Sequence, residues 1–435
     1  MFEFGKELRR LFAQARESED LGWLELVGAD LLQAEARRQT TDAGRVSCPR
    51  PFPVWLRAAA LWREHARRTG DEYSLGRGDS AAQDAIKVAG DADETARAAA
   101  AVAEGLLLRY DLKGGLDRLA RAEVVIGSTP APRAPGASAA LTSAHARLKT
   151  RQARLANDPG ALMDATALLD VALHDPCGRP ASELDELRLD QAALLLEAGL
   201  LRRDVRLLDQ AGRGLGGLVE TAPAEQRPLT RARALALCAA GLCALATLAD
   251  DRGARAQAEL MFEAAAEQFT PDHSPLDWAA VQIARGLRGD AAPLMVLREA
   301  ERLTAGRELI LGAVAREMRV ACEIACANGR IEALYGVEAA TRRRLAASEL
   351  AAPVDWVADQ IAMAHLAKAS GEAGWAGLTL IEAATVAREA GASLLADRAD
   401  QVLAGLMSQA RGQGQNRPAS APMATKPPLR KPGLP

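Results

Sequence analysis

The sequence predicts an all-α protein in which helical hairpins stack in a row, an α-solenoid. Three observations carry this. The stretch Pro275-Leu276-Asp277-Trp278-Ala279-Ala280-Val281-Gln282-Ile283-Ala284 returns 78 residues later as Pro353-Val354-Asp355-Trp356-Val357-Ala358-Asp359-Gln360-Ile361-Ala362, with seven of ten positions identical. That interval holds about two units of 34–45 residues, which is a repeat signature. Apolar residues make up 49% of the chain but aromatics only 3%, so the hydrophobicity comes from alanine and leucine. Both are strong helix formers, and no alternating β-branched run occurs. Finally, breakers recur where hairpin turns belong: Asn157-Asp158-Pro159-Gly160, Asp175-Pro176-Cys177-Gly178, Asp250-Asp251-Arg252-Gly253, Asn328-Gly329 and Ser370-Gly371. They set a spacing of 33 to 47 residues per helix pair.

Residues 2–38 read as one or two helices. Phe4, Leu8, Leu11, Phe12 and Ala15 form a stripe beside Lys6, Arg9, Arg10 and Arg16. Such a helix suits the end of an array, which needs a cover, and the alternative is a membrane surface. A second run follows from Trp23 to Arg38, then a proline-containing loop over 40–53. Helices are predicted at 54–68, 72–89, 93–109 and 111–125. Residues 127–137 hold three prolines and two glycines within ten positions, which no helix accepts. They either separate an N-terminal helical region, 1–126, from a repeat array, 138–410, or form a long loop inside one array.

Beyond them the hairpins pair 138–157 with 160–173, 182–199 with 201–220, and 228–249 with 253–269. Next come 275–288 with 291–304, 307–327 with 330–347, and 353–370 with 372–390, before a closing helix at 392–410. Residues 411–435 carry six prolines, five basic residues and no acid, the composition of a disordered tail.

The repeated stretch has the grammar of a helix start. Ser274 suits the N-cap, Pro275 the first helical position and Asp277 the third, near the positive end of the dipole. Asp277 and Asp355 are therefore read as capping residues rather than as chemistry. Ala280, Ile283, Ala284 and Leu287 form one apolar stripe, and Trp278 with Val281 forms a second edge. A helix apolar on two edges has neighbours on two sides.

The junction Thr270-Pro271-Asp272-His273-Ser274-Pro275-Leu276-Asp277-Trp278-Ala279, with its Pro-x-Asp-Trp-x-x-x-Gln pattern, resembles the bacterial tetratricopeptide-repeat (TPR) proteins. The resemblance covers about 250–304 and 330–390. It implies a right-handed superhelix of TPR-like hairpins whose inner groove binds peptides or protein partners. It does not extend to that family's asparagine-based carboxylate clamp. The chain has only Asn157, Asn328 and Asn416, two in predicted turns and one in the tail.

Several function classes are disfavoured. The formal charge of −3 speaks against a nucleic-acid binder, which needs a basic excess. No run of about 18 apolar residues predicts stable membrane insertion, and the N-terminus lacks a secretory pattern, so a cytoplasmic location is expected. Cys48, Cys177, Cys238, Cys243, Cys322 and Cys326 form no CxxC pair and are expected as packed thiols, with no metal site. His65, His145, His174, His273 and His365 each stand alone, and His365 is expected to be packed. Gly212 to Gly217 is glycine-rich but follows no strand, so it cradles no nucleotide. No hydrolase, metalloprotease or P-loop motif occurs. No catalytic residue and no cofactor is expected, and the protein reads as a non-enzyme.

Trp55, Trp62, Trp278, Trp356 and Trp375 are expected to fill gaps between hairpins. The partner-binding candidates are polar residues on the inner helices: Gln282, Arg285, Arg316, Arg319 and Gln360. The functional expectation is a scaffold or adaptor that binds proteins or peptides in its groove. The alternative is a regulator that senses a ligand or peptide with the same superhelix.

Overall fold

Local start and stop signals set the hairpins. Prolines open six of the described helices, where the missing N–H has no partner to lose. Asp71, Asp91, Asp204 and Asp251 each accept a backbone N–H at a helix start. Gly70, Asn157, Arg203 and Asp250 take left-handed backbone at helix ends and turn the chain within a few residues.

The computed structural model describes residues 18, 20–174, 179–288, 294–327, 330–348 and 352–415. Among these the chain forms a 3-10 turn, Gly22–Leu26, eighteen α-helices and no strand. The helices are α1 (Ala29–Ala43), α2 (Pro51–Thr69), α3 (Glu72–Val88), α4 (Ala92–Lys113), α5 (Leu116–Gly127) and α6 (Pro135–Ala156). They continue as α7 (Pro159–His174), α8 (Ala181–Arg202), α9 (Val205–Thr221), α10 (Pro228–Ala249), α11 (Arg252–Gln268) and α12 (Pro275–Arg288). The last six are α13 (Leu294–Thr304), α14 (Ile310–Ala327), α15 (Ile331–Ser348), α16 (Pro353–Ala369), α17 (Ala373–Glu389) and α18 (Ser393–Gln415).

The hairpins fall where the breakers place them, and the fold is the expected α-solenoid. Several boundaries differ, and the turn predicted near residue 110 falls at Gly114–Gly115, between α4 and α5. The run from Trp23 to Arg38 is not one helix, because Gly28 is extended and separates the 3-10 turn from α1. Helix α1 then runs into the predicted loop, with Thr40 and Thr41 hydroxyls donating to the carbonyls of Ala36 and Arg37. Pro51 and Pro53 lie in the first turn of α2 rather than in a loop. Helix α18 extends to Gln415, past the predicted end at 410. The basic stripe of residues 2–16 and the tail from 416 onward lie outside the described residues.

Hydrophobic clusters span neighbouring hairpins, as a row of stacked units requires. One joins Ala58 of α2, Ala82 of α3, Leu106 of α4, Leu119 of α5 and Leu148 of α6, so it crosses the loop between α5 and α6. That loop is tied down by Asp93, whose carboxylate accepts the N–H groups of Arg133 and Ala134 at 2.6 and 2.9 Å. Another cluster runs from α12 to α18. Alanine dominates both, so the helices approach closely. Helix α10 corrects one expectation: with mean hydropathy 1.8 it is long and apolar enough to cross a bilayer. In the fold it pairs with α11 and buries Leu229, Ala232, Ala239, Cys243 and Ala246.

The row also curls back on itself. The 3-10 turn meets α10, α2 meets α12, and α4 meets α14. Gly115 N–H donates to the carbonyl of Ala390 at 2.7 Å, across 275 residues of chain. Arg307 donates to the carbonyl of Thr69.

Candidate functional site: a charged interior cavity

Six alternate helices, α2, α4, α6, α8, α10 and α12, turn one face toward a common interior, and their partners α3, α5, α7, α9, α11 and α13 form the outer layer. The interior holds a cavity of about 800 Å³. Nine arginines and eight carboxylates line it, so it is intensely charged yet nearly balanced. Arg57, Arg63, Glu64 and Arg67 come from α2, and Arg97, Glu104 and Asp111 from α4. Arg147, Arg151 and Arg154 lie on one face of α6, opposite Glu183, Glu186 and Asp190 of α8.

The charges pair across helix seams. Arg147 reaches Glu186 at 2.6 Å, with Asp190 at 3.5 Å and Glu104 at 3.8 Å. Arg151 reaches Asp111 at 2.7 Å, and Arg63 reaches Glu104 at 2.5 Å. Burial works against the Arg147 charge, but Glu186, Asp190 and Glu104 outweigh it and hold the guanidinium firmly protonated. Burial likewise pushes the Glu186 carboxyl up, yet Arg147 and Arg67 drive it far below the usual carboxylate range. Glu183 is the exception. Burial raises its pKa and the nearby Glu104 adds to the rise, against the Ser143 hydroxyl that donates to it at 2.6 Å and the charges of Arg147 and Arg179.

One wall is closed by residues far apart in sequence. Glu25 accepts from Arg227 at 2.8 Å and from the Thr230 N–H at 2.9 Å. Arg227 also binds Asp185 at 2.9 Å. Arg68, with no exposed surface, donates to the carbonyls of Val27 and Leu24 and pairs with Glu64. Arg233 and Asp277 complete the wall at 2.6 Å. The site is thus a preorganised lattice of fixed charges around a void.

None of the five partner-binding candidates is among the residues lining this cavity. Gln282 is buried, and Arg285 binds Glu259 of the outer helix α11. Arg316 pairs with Asp355, and Arg319 pairs with Glu301 and Glu323. Gln360 is half-buried on α16. The sequence reading passed over the cavity residues because each pair joins two repeats. The available signal was an arginine and an acid about one repeat apart, as in Arg147–Glu186 and Arg233–Asp277.

Other expectations resolve individually. Trp62 is fully buried, and Trp278 and Trp356 pack against the core of the later hairpins. Trp375 is not core: it is 46% exposed, because α17 turns that face away from its neighbours. Cys243 is buried, but Cys326 is exposed. Half-buried His365 sits 2.9 Å from Glu317, as a packed histidine. Asn157 occupies the turn after α6. Among the described residues no group of histidine, cysteine and acidic side chains is placed to hold a metal ion.

No protein-family model matches this sequence, and no curated protein does. Among solved structures the chain is similar to a Rap protein complexed with competence and sporulation factor, at 12% identity and a TM-score of 0.43, covering 83% of this chain and 99% of that one.

Proposed function

We propose that this protein is a non-catalytic receptor for a short charged peptide, or for a short segment of a partner protein, held inside the curled superhelix. The observation that supports this reading is the cavity of about 800 Å³ walled by paired arginines and carboxylates. Its size lies within the roughly 300–1,000 Å³ of ordinary ligand sites. Closing contacts between hairpins more than 200 residues apart favour a small ligand over a folded domain. A peptide offers alternating donors, acceptors and charges, which a balanced lattice of both signs can meet. Most of these charges are locked in ion pairs across helix seams, which suits holding a charged ligand in place.

The test is thermal stabilisation by a library of four- to eight-residue peptides. A ligand at 100 times its Kd adds about 2.7 kcal/mol. Peptides that stabilise the wild type are expected to lose the effect in Arg97→Gln and Glu183→Gln. If no peptide stabilises the protein, or if these variants keep the effect, the reading fails.

The adaptor reading stands second, supported by a different surface. Trp375, Leu378 and Ile381 lie along α17 and are 46%, 70% and 53% exposed. An apolar face of this kind suits a protein partner. Pull-downs with Leu378→Glu distinguish the readings, since a cavity ligand is indifferent to that change.

A further inference from the structure

A second concavity lies on the face of α2 opposite the cavity, between α1 and α3. It is lined by Arg37, Thr40, Thr41, Gly44, Trp55, Trp62, Tyr73 and Arg77 and encloses about 490 Å³. Unlike the interior, its charges are not balanced. Among the described residues two guanidiniums line it and no carboxylate does. On α1, Asp42 is held by Arg38 and Arg45. The Nε of Arg77 is buried without a hydrogen-bond acceptor. A buried charged donor left unpaired is costly, and such an orphan calls for an explanation.

Three aromatic rings join two threonines and a glycine in the rest of the lining. Trp62 forms the floor, its indole N–H donating to Thr40 Oγ1 at 2.8 Å. Tyr73 meets it edge-to-face, with ring centroids 5.7 Å apart at 85°. Trp55 is half-buried and Tyr73 is exposed, so both present ring surface.

We infer that this concavity is a binding site for a mononucleotide. Two uncompensated guanidiniums match a phosphate monoester, which carries close to two negative charges at neutral pH. Arginine forks bind phosphate oxygens bidentately, and the Trp55 and Tyr73 rings offer a stacking platform for a planar base. A carboxylate carries a single negative charge and would leave one of the two positive charges unneutralised. The site lies outside the peptide cavity and stands independently of that reading.

The test is equilibrium titration of the full chain with AMP and GMP, followed by tryptophan fluorescence. Inorganic phosphate, adenosine and phosphotyrosine serve as comparison ligands. Saturable binding by a mononucleotide is expected, weakening as salt rises. Arg77→Gln and the exposed Arg37→Gln are each expected to weaken it by at least about tenfold. Circular dichroism verifies that each variant is folded, and Arg37→Gln carries the test should Arg77→Gln unfold. The inference is overturned if no mononucleotide saturates, or if adenosine binds as tightly as AMP, since then the arginines do nothing. It is also overturned if inorganic phosphate matches AMP, if phosphotyrosine binds more tightly than either nucleotide, or if Arg97→Gln in the interior abolishes binding while Arg37→Gln and Arg77→Gln leave it intact.

Discussion

Arg233 of α10 grips Asp277 of α12 through two hydrogen bonds, at 2.6 and 3.2 Å, across the seam between successive hairpins. The other copy of the repeated stretch repeats the arrangement, with Arg316 of α14 on Asp355 of α16. The aspartate of the motif therefore does more than start a helix. Burial pushes the Asp277 carboxyl up, but Arg233 outweighs it and holds the group ionised. Ser274, the expected cap, gives its hydroxyl to the same carboxylate at 2.5 Å.

Removing one partner strands the other charge at 15–21% exposure. Arg233→Ala is expected to cost about 3–5 kcal/mol. The double variant Arg233→Ala/Asp277→Ala should cost less than the sum of the two singles, by about 1–3 kcal/mol of coupling. Urea denaturation of the four proteins measures this. Strict additivity would reduce the pair to a coincidence of packing.

Closure of the superhelix gives a second expectation. Glu25 takes bonds from Arg227, the Thr230 N–H and the Thr230 hydroxyl, residues more than 200 positions away. Glu25→Ala removes this acceptor from the Thr230 N–H and hydroxyl and leaves Arg227 with Asp185 and Thr230 on that wall of the cavity. The expected cost is about 3 kcal/mol, with a larger radius of gyration in solution scattering. An unchanged scattering profile would mean that the curl is held elsewhere.

The glycine at the other closing contact makes a sharper case. Gly114 has φ +74°, and a Cβ placed on it would sit 2.3 Å from the carbonyl oxygen of Ala390. Gly114→Ala must move backbone, at a cost of more than about 2 kcal/mol from strain alone. Gly127→Ala, with open space around it, is the control and should change stability by less than about 1 kcal/mol. Hydrogen exchange at Gly115, whose N–H donates to Ala390, reports whether the contact has opened.

These sites mark the boundary of what the sequence made legible. Hairpin positions were readable because Pro275, Pro353, Asp251 and Asn157 act within one turn of themselves. The Asp-Trp motif was readable as a repeat, but its arginine partners were not, because Arg233 and Arg316 lie 44 and 39 residues upstream. The curl was least legible. Nothing local to Glu25 or Gly115 signals that each will meet a residue more than 200 positions later, since a small rotation between neighbouring hairpins accumulates along the row. The groove candidates shared this blind spot: polarity on a helix was readable, but whether Arg285 faces the interior or Glu259 on the outer layer was not.

The last expectation concerns acid. Glu317 of α14 has no exposed surface and receives His365 of α16 at 2.9 Å and Arg398 of α18 at 3.1 Å. Burial alone would raise its pKa, but the His365 hydrogen bond and the Arg398 charge outweigh burial and bring it below the usual carboxylate value. A carboxyl depressed in the folded state binds its proton less readily there than in the unfolded chain, whose carboxyl titrates near pH 4.3. Its stabilisation is therefore complete above that pH and is lost as pH falls through the lower folded value. Glu317→Gln is expected to cost about 3 kcal/mol at pH 7, since the amide cannot neutralise Arg398. The gap between wild type and variant should then narrow below about pH 4, as the wild-type carboxyl takes up its proton. Urea midpoints at pH 7, 5, 4 and 3 measure it. A gap as wide at pH 3 as at pH 7 would show that the three-helix junction depends on the shape of Glu317 and not on its charge.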